Sequence, residues 1–473
     1  MSKQKGLTVM KRSLLICAAT LFLFSCDDFT NLTPESQRNV EDFYQTESDI
    51  RIATNGIYSG FKKIGTYGQN YWVLFEMRSD NTDQGTDVTG LARDLAVIND
   101  FEESTTSEFV GNAWIDSYKV IQRANVVLER IDDVEFADQN LKDQLRGEAL
   151  FLRSLAYYNL AVAFDNIPLV LEETRTANDP INQVQANNVY DQIVGDIAEA
   201  EDLLPESYTG SNVGRATKGA AATLLGRVYL TMGEHNSAQP PLDRVVNQYD
   251  YELLDDYSDL WGPDVANHEE SIFEIQYSTE GAGNGSRYSN DFSPSNLLQT
   301  GQGQGRNRPT VDMYEAYEED DVRRDISMGT EYEDPADGEM VEARFVRKYE
   351  SDPPSEFNAG NNWYVFRYAD AKLMLAEALG ESSEAYDLIN TVRDRAGLDP
   401  IDESTPGSFE DKLLQERRVE LAFENHRWAD LRRFGVVEEV MQNKGYSPKT
   451  LFPIPQREID SAPDEMEQNP EHR

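Results

Sequence analysis

Cysteine, histidine and positive charge are what this 473-residue chain has least of. Its two cysteines are Cys17 and Cys26, too few for a disulfide framework. Its four histidines, His235, His268, His426 and His472, share no H-x-x-x-H spacing, which argues against a histidine-built metal site. No EF-hand spacing occurs either, so no metal and no cofactor is expected. Lys and Arg number 43 against 86 Asp and Glu, a net charge of −43. That imbalance argues against nucleic acid, whose phosphates need a basic surface, and against electrostatic docking on an anionic leaflet. Also missing are a G-x-G-x-x-G opening a helix, a nucleophile elbow and an apolar run of about 20 residues able to span a bilayer. What is present is a 39% hydrophobic fraction, enough for a sizeable core and too much for wholesale disorder.

The amino end reads as an export signal. Lys3, Lys5, Lys11 and Arg12 form a basic region ahead of the apolar run Ser13 to Ser25. The run ends Leu23-Phe24-Ser25-Cys26, which resembles a bacterial lipobox with Cys26 as the lipid acceptor; Phe24 is bulkier than its tightest form allows. The other reading is an ordinary signal peptide with an incidental cysteine. Residues 1–25 are expected to leave as the signal peptide and residues 26–40 to form a lipidated tether. Losing four positive charges and no acid takes the mature chain from −43 to −47.

Beyond the tether the apolar residues recur at i, i+3, i+4 and i+7. This predicts helices over 114–131, 141–164, 189–204, 216–232, 363–379, 385–396 and 409–434. Gly233, Gly380 and Gly397 stand just past three of those ends, where a left-handed cap favours glycine. Leu225-Gly226-Arg-Val-Tyr229 carries the L-G-x-x-Y pattern of a tetratricopeptide helix, and 371–379 is a looser copy. The copies are unevenly spaced, so long insertions interrupt the array. Ile272 to Tyr277 reads as a short strand. Glycine-dense stretches at 281–290 and 301–309 read as surface or ligand loops, and 329–360 as an acidic, proline-bearing connector. The expected fold is mostly α: a tetratricopeptide-like helix-pair scaffold with long loop insertions and minor β. Its parts are an N-terminal helical region at 41–235, a loop-rich ligand-side insertion at 236–360 and a C-terminal helical region at 361–473, integrated in one globule.

An ordered set of segments carries a family resemblance. These are Arg146-Gly-Glu-Ala149 through Tyr158 to Ile167-Pro168-Leu169, then Gly214-Arg215-Ala216-Thr217-Lys218-Gly219, then Arg367-Tyr368-Ala369-Asp370. Ile389-Asn390 through Arg393, Arg395, Gly397 and Leu398 follows, then Glu416-Arg417-Arg418-Val-Glu420-Leu421, then Leu451-Phe452-Pro453-Ile454-Pro455. In that order behind a lipobox, the chain resembles the SusD/RagB family of Bacteroidetes surface nutrient-binding lipoproteins. At the tail, Ser461-Ala462-Pro463 replaces the more usual Asn-Pro. The resemblance implies a lipid-anchored protein on the cell-surface face of the outer membrane. It implies binding of an oligosaccharide or polysaccharide, a SusC-like TonB-dependent outer-membrane transporter as partner, and no catalysis. The alternatives are a peptide- or protein-binding relative of the RagB kind and a secreted hydrolase.

The charged motifs have a structural explanation. Glu416 and Glu420 share a helix face at i, i+4, and with 86 acids such pairs arise by chance. Interhelical ion pairs are the expected role for them, for Glu148 and for Asp370, with Arg393 and Arg395 among their partners. Ligand contact is expected from aromatics beside polar groups between helices. Residues 65–90 supply Tyr71, Trp72, Arg78, Asp80 and Asn81, and Tyr288 supplies a possible second wall; in SusD-like proteins these regions commonly border the ligand face. Trp72 stands open between an exposed platform and a core residue.

Overall fold

The computed structural model describes residues 43–84, 91–176, 181–281, 283–299 and 303–473. The signal, the tether and Cys26 lie outside the described residues. Helices carry the architecture. The first half contains α1 (Glu47–Gly60), α2 (Asn70–Phe75), α3 (Leu91–Asn99), α4 (Glu108–Arg130), α5 (Gln139–Phe164), α6 (Ala186–Leu203), α7 (Lys218–Thr231) and α8 (His235–Asn247). Three short helices follow: α9 (Tyr288–Phe292), α10 (Val311–Glu315) and α11 (Arg323–Ser327). The last part holds α12 (Tyr368–Leu379), α13 (Ser383–Arg395), α14 (Phe409–Glu420), α15 (Arg427–Arg433), α16 (Val437–Asn443) and α17 (Gln456–Ser461).

Local chemistry sets the ends. Thr46 and Asp49 form a reciprocal capping box at α1, and Ser408 and Asp411 form another at α14. Thr217 and Ser382 cap α7 and α13 by accepting backbone N–H bonds. Gly233 and Gly397 close α7 and α13 at φ of 75° and 78°, the left-handed region their lack of a Cβ makes accessible.

Each main helix packs on the next: α1 on α4, α4 on α5, α5 on α6, α6 on α7, α7 on α8, α8 on α12, and α12 on α13. The chain therefore leaves the array after α8, builds its insertion, and re-enters beside the helix it left. Small residues permit the close crossings. A Cβ on Gly226 would lie 2.4 Å from Leu242 Cγ of α8, so the L-G-x-x-Y glycine is a contact point between helices. One apolar cluster runs from α1 to the tail, and a second fills the space between α12, α13 and α14.

Strands are short and antiparallel: β1 (Thr82–Asp83) with β5 (Arg308–Pro309), β2 (Ile167–Pro168) with β3 (Gln183–Val184), β4 (Ser271–Ile275) with β8 (Trp363–Arg367), and β6 (Met328–Glu333) with β7 (Met340–Val346). Four details differ from the sequence reading. Residues 363–367 form β8 rather than the start of α12, because β4 offers them a pairing edge. Part of the 329–360 connector is the β6–β7 hairpin. The 409–434 helix is broken at 421–426, where Phe423 and Asn425 take φ of 67° and 68°. Helix α8 was not foreseen; it contains Pro240 and Pro241, yet Ala238, Leu242, Val245 and Val246 face the core.

The tail straps the N-terminal helices. Phe452 N–H donates to Ala163 O at 2.9 Å, and Asn469 Nδ2 donates to Phe164 O at 3.0 Å. Gln456 N–H reaches Thr105 O at 2.8 Å.

Candidate ligand-binding site

The carboxylates that might have served acid–base chemistry are locked in ion pairs. Glu420 is buried against Arg323, Arg367 and Arg395. Burial opposes its charge, but those three guanidinium groups hold its pKa well below the usual range. Glu416 pairs with Arg323 at 2.6 Å and Arg393 at 3.1 Å. Asp370 pairs with Arg227 and with Arg417 at 3.0 Å; against its burial these cations bring it to about 2. Glu148 pairs with Arg215 at 2.6 Å, and Arg153 with Asp196 at 2.7 Å. Glu420 and Asp370, held low by their cationic neighbours, have no proton to donate near neutral pH.

The six residues expected at the ligand surface are buried, which corrects the reading of them as contact residues. The Tyr71 hydroxyl meets Ser117 Oγ at 2.7 Å. Trp72 is 1% exposed, with its ring edge-on to Phe292 at 5.1 Å. Arg78 donates to Lys449 O at 2.7 Å, pairs with Glu103 at 2.9 Å and lies 4.1 Å from the Phe452 ring centroid. Asp80 sits between Arg427 at 2.7 Å and Arg418 at 3.0 Å; burial opposes its charge, but these two cations bring its pKa to about 2. Asn81 accepts from Arg418 Nε at 3.0 Å and donates to Glu76 at 3.3 Å. The Tyr288 hydroxyl donates to Tyr67 O. The causes are local and tertiary: α2 is a short apolar helix with every residue buried, and the Ser-Asp-Asn-Thr turn is drawn inward by two arginines.

Trp72 and Tyr288 belong to a buried aromatic cluster. Tyr288 contacts Tyr349 at 5.3 Å, Tyr349 stacks on Trp363 at 4.8 Å and 5°, and Trp261 meets Tyr349 at 6.2 Å. At Trp261 the cluster reaches solvent, since this ring is only partly buried. It walls an open cavity of about 460 Å³ on the loop-built side. Ser258, Trp261 and Gly262 form one side, Leu297 to Gln299 a second, and Asp325 with Ile326 of α11 a third. Arg347 and Glu350 to Asp352, which follow β7, complete it. Arg347 donates to Glu350 Oε2 at 3.3 Å and to Asp325 O at 3.0 Å, and Gln299 N–H donates to Asp352 Oδ1 at 3.2 Å.

Trp261 is fixed by edge contacts to Tyr257 and Tyr364 at 5.7 and 5.5 Å, and by Lys348 Nζ 4.5 Å from its centroid. Lys348 is itself buried and pairs with Glu424 at 2.7 Å; desolvation lowers its pKa to about 8. An aromatic face beside carboxylates, a guanidinium and a carboxamide suits a sugar, whose C–H faces lie on rings and whose hydroxyls bond planar polar groups. Along the same loops Arg287 stacks on Phe357 at 4.2 Å, and Phe357 holds φ of 56°, the kind of strained position that gathers at ligand sites. Phe357 went unremarked in the sequence; its signal is a lone aromatic between Pro353-Pro354 and Asn358-Ala-Gly360.

A larger groove of about 970 Å³ lies along α4 against 168–175 and the tail. Its walls mix the aliphatic Ile115, Ile121, Leu169, Leu171 and Ile181 with Trp114, Tyr118, Lys119, Gln122, Glu129 and Arg175. Among the described residues no three His, Cys, Asp or Glu side chains gather to hold a metal ion, and no helix is long and apolar enough to cross a membrane.

A helix array whose insertion folds back into an open aromatic and polar cavity is the build of a ligand-capture protein. The chain belongs to the SusD/RagB family: a model described as "starch-binding associating with outer membrane" matches residues 28–230, and the SusD family model matches residues 323–472. SusD-like protein P2 of Formosa agariphila is 27% identical, covering 95% of this chain and 97% of that one. A laminarin-binding SusD-like protein superposes with a TM-score of 0.81 at 28% identity, over 90% of this chain and all of the other. Surface glycan-binding protein A from Bacteroides thetaiotaomicron, solved with laminarihexaose, shares the fold at a TM-score of 0.77 and 22% identity, over 90% of this chain and all of that one.

Proposed function

We propose that this chain is a lipoprotein, anchored through Cys26 on the outer face of the outer membrane. It binds an oligosaccharide or polysaccharide at the loop-built cavity and passes it, uncleaved, to a TonB-dependent transporter. The observation that carries the reading is the cavity itself: Trp261 as a wall, with Gln299, Arg347, Glu350 and Asp352 around it. The fold neighbours support the ligand class, since one is a laminarin-binding protein and another was solved with laminarihexaose. The paired state of Glu416, Glu420 and Asp370 supports binding without hydrolysis.

Calorimetry of the mature protein against oligosaccharides, with peptides as controls, tests the ligand. Trp261→Ala should weaken glycan binding by about 2 kcal/mol, as loss of a central aromatic anchor does. Full binding by a folded variant moves the site elsewhere, and shortened glycan after long incubation ends the non-catalytic reading. Cys26→Ala should release the protein from the membrane fraction, because stable anchoring depends on acyl chains worth about 0.8 kcal/mol per buried CH₂. Recovery of a large β-barrel with the tagged protein in mild detergent tests the transporter.

A further inference from the structure

We infer that the cavity selects neutral glycans and turns away those bearing uronate or sulfate groups, with Asp325, Glu350 and Asp352 as the specificity-determining residues. This rests on the reading of the cavity as the glycan site. The lining presents three carboxylates and a single guanidinium. That guanidinium, Arg347, donates through Nε to Glu350 and through Nη1 to the carbonyl of Asp325, and its half-exposed side chain leaves Nη2 to a ligand hydroxyl. Of the neighbouring cations, Arg324 is paired with Asp325 at 3.2 Å and offsets part of that carboxylate's charge, which leaves Asp352 without a cationic partner among the described residues, and Lys348 lies beneath Trp261, buried against Glu424. The turn leading to Trp261 adds Asp255, Asp256 and Asp259. The rest of the molecule does not offset them, at a net charge of −43.

Donor and acceptor chemistry points the same way. An ionised carboxylate only accepts hydrogen bonds, whereas a sugar hydroxyl donates as well as accepts. Asp325, with its side chain 76% exposed, and Glu350, at 35%, therefore offer charge-assisted acceptors to the hydroxyls of a neutral ring. A uronate or sulfate ester brings acceptors to the same acceptors and adds like-charge repulsion within one Debye length of about 8–10 Å. The carboxylates thus act twice, holding hydroxyls and excluding anions, which is discrimination by a repulsive element as much as by an attractive one.

The test uses the mature protein and two sets of defined hexasaccharides. The neutral set contains gluco-, manno-, galacto- and xylo-oligosaccharides; the anionic set contains oligoguluronate, oligomannuronate, oligogalacturonate and a sulfated galactan oligosaccharide. Calorimetry is run at about 20 mM and about 500 mM salt, which shortens the screening length from about 20 Å to about 4 Å, with and without calcium. The expected result is a neutral binder at least tenfold tighter than any anionic one, with an affinity that salt barely changes. The double variant Asp325→Asn with Asp352→Asn keeps one acceptor oxygen at each position, exchanges the other for an NH₂ donor and removes two charges, and should tighten anionic binding at least tenfold. An anionic glycan that binds as tightly as the best neutral one, calcium-bridged or not, overturns the selection and leaves the glycan reading standing. An anionic affinity unmoved by the double variant removes these residues from the role. A folded protein that binds neither set overturns both the selection and the proposed function.

Discussion

The ionic cluster joining α12, α14 and α15 buries its charges, whereas the loop-built face leaves Asp325, Arg347 and Glu350 partly exposed. In the cluster every carboxylate meets a cation: Glu270, Glu416, Glu420, Glu424, Asp370 and Asp430 each contact at least one Arg. On the loop side, buried polar atoms without a partner among the described residues include the Asn307 carboxamide, the Tyr349 hydroxyl, Asn361 Nδ2 and Trp363 Nε1; in the cluster Arg395 Nε and Arg417 Nη1 are left over in the same way. Asn307 also takes a positive φ of 52°. Closed charge networks fix a frame, because removing any one member strands the others. Strained loops with unused hydrogen-bonding capacity are what recognition draws on. The helical half thus holds geometry through buried charge pairs, while the insertion presents its charged groups to solvent.

Four experiments break or sharpen that contrast. The largest effect is expected at Arg367, whose guanidinium serves Glu270, Glu420 and Glu424 at once. Arg367→Met should cost roughly 3–5 kcal/mol of folding stability by leaving buried carboxylates unpaired; chemical denaturation reads it directly, and a loss below 1 kcal/mol denies the cluster its role as frame. Trp72→Ala is of similar size, roughly 3–5 kcal/mol from a filled core site. A melt that hardly shifts would return Trp72 to the surface.

Acid comes next. Asp80 and Asp370 sit at about 2, below the ordinary value of 3.8. Groups lowered in this way stabilise the fold above the unfolded pKa and lose that contribution as pH falls through the folded one. Each should surrender roughly 2 kcal/mol between about pH 4 and pH 2. A stability profile flat across that window contradicts the pairing. The smallest stability effect is expected at the half-exposed Arg347. Arg347→Met should change folding by no more than about 0.5 kcal/mol while reducing glycan affinity about tenfold, about 1.4 kcal/mol. If folding suffers more than binding, the two regions are not divided as argued.

The array was largely legible because its signals are local. Apolar spacing placed α4 to α7, glycines marked three helix ends, and Gly226 marked a close crossing. Where the local signal was ambiguous or contrary, the reading failed: Trp363-Tyr-Val-Phe suits a strand and a buried helix alike, and Pro240-Pro241 hid α8. The ligand candidates failed for a different reason. Tyr71, Trp72, Arg78, Asp80, Asn81 and Tyr288 look like a sugar site by composition, but burial depends on partners remote in sequence. Arg78 bonds a carbonyl 371 residues away, and Asp80 an arginine 347 residues away. Ion pairing by Glu416 and Glu420 was expected from abundance alone, yet the identity of Arg323 as their shared partner needed the fold.

The strap of the tail across α5 bears on how the chain comes into being. A polypeptide is made from its amino end, and segments fold as they emerge. Here the carbonyl of Phe164 waits for Asn469, 305 residues later, and that of Ala163 for Phe452. The amino half therefore stays unfinished until residues 452–469 dock on it, so closure of the molecule waits on a segment far along the chain. A chain that loses its tail is then an unclosed protein, open at the carboxyl end of α5, and quality control meets it as such.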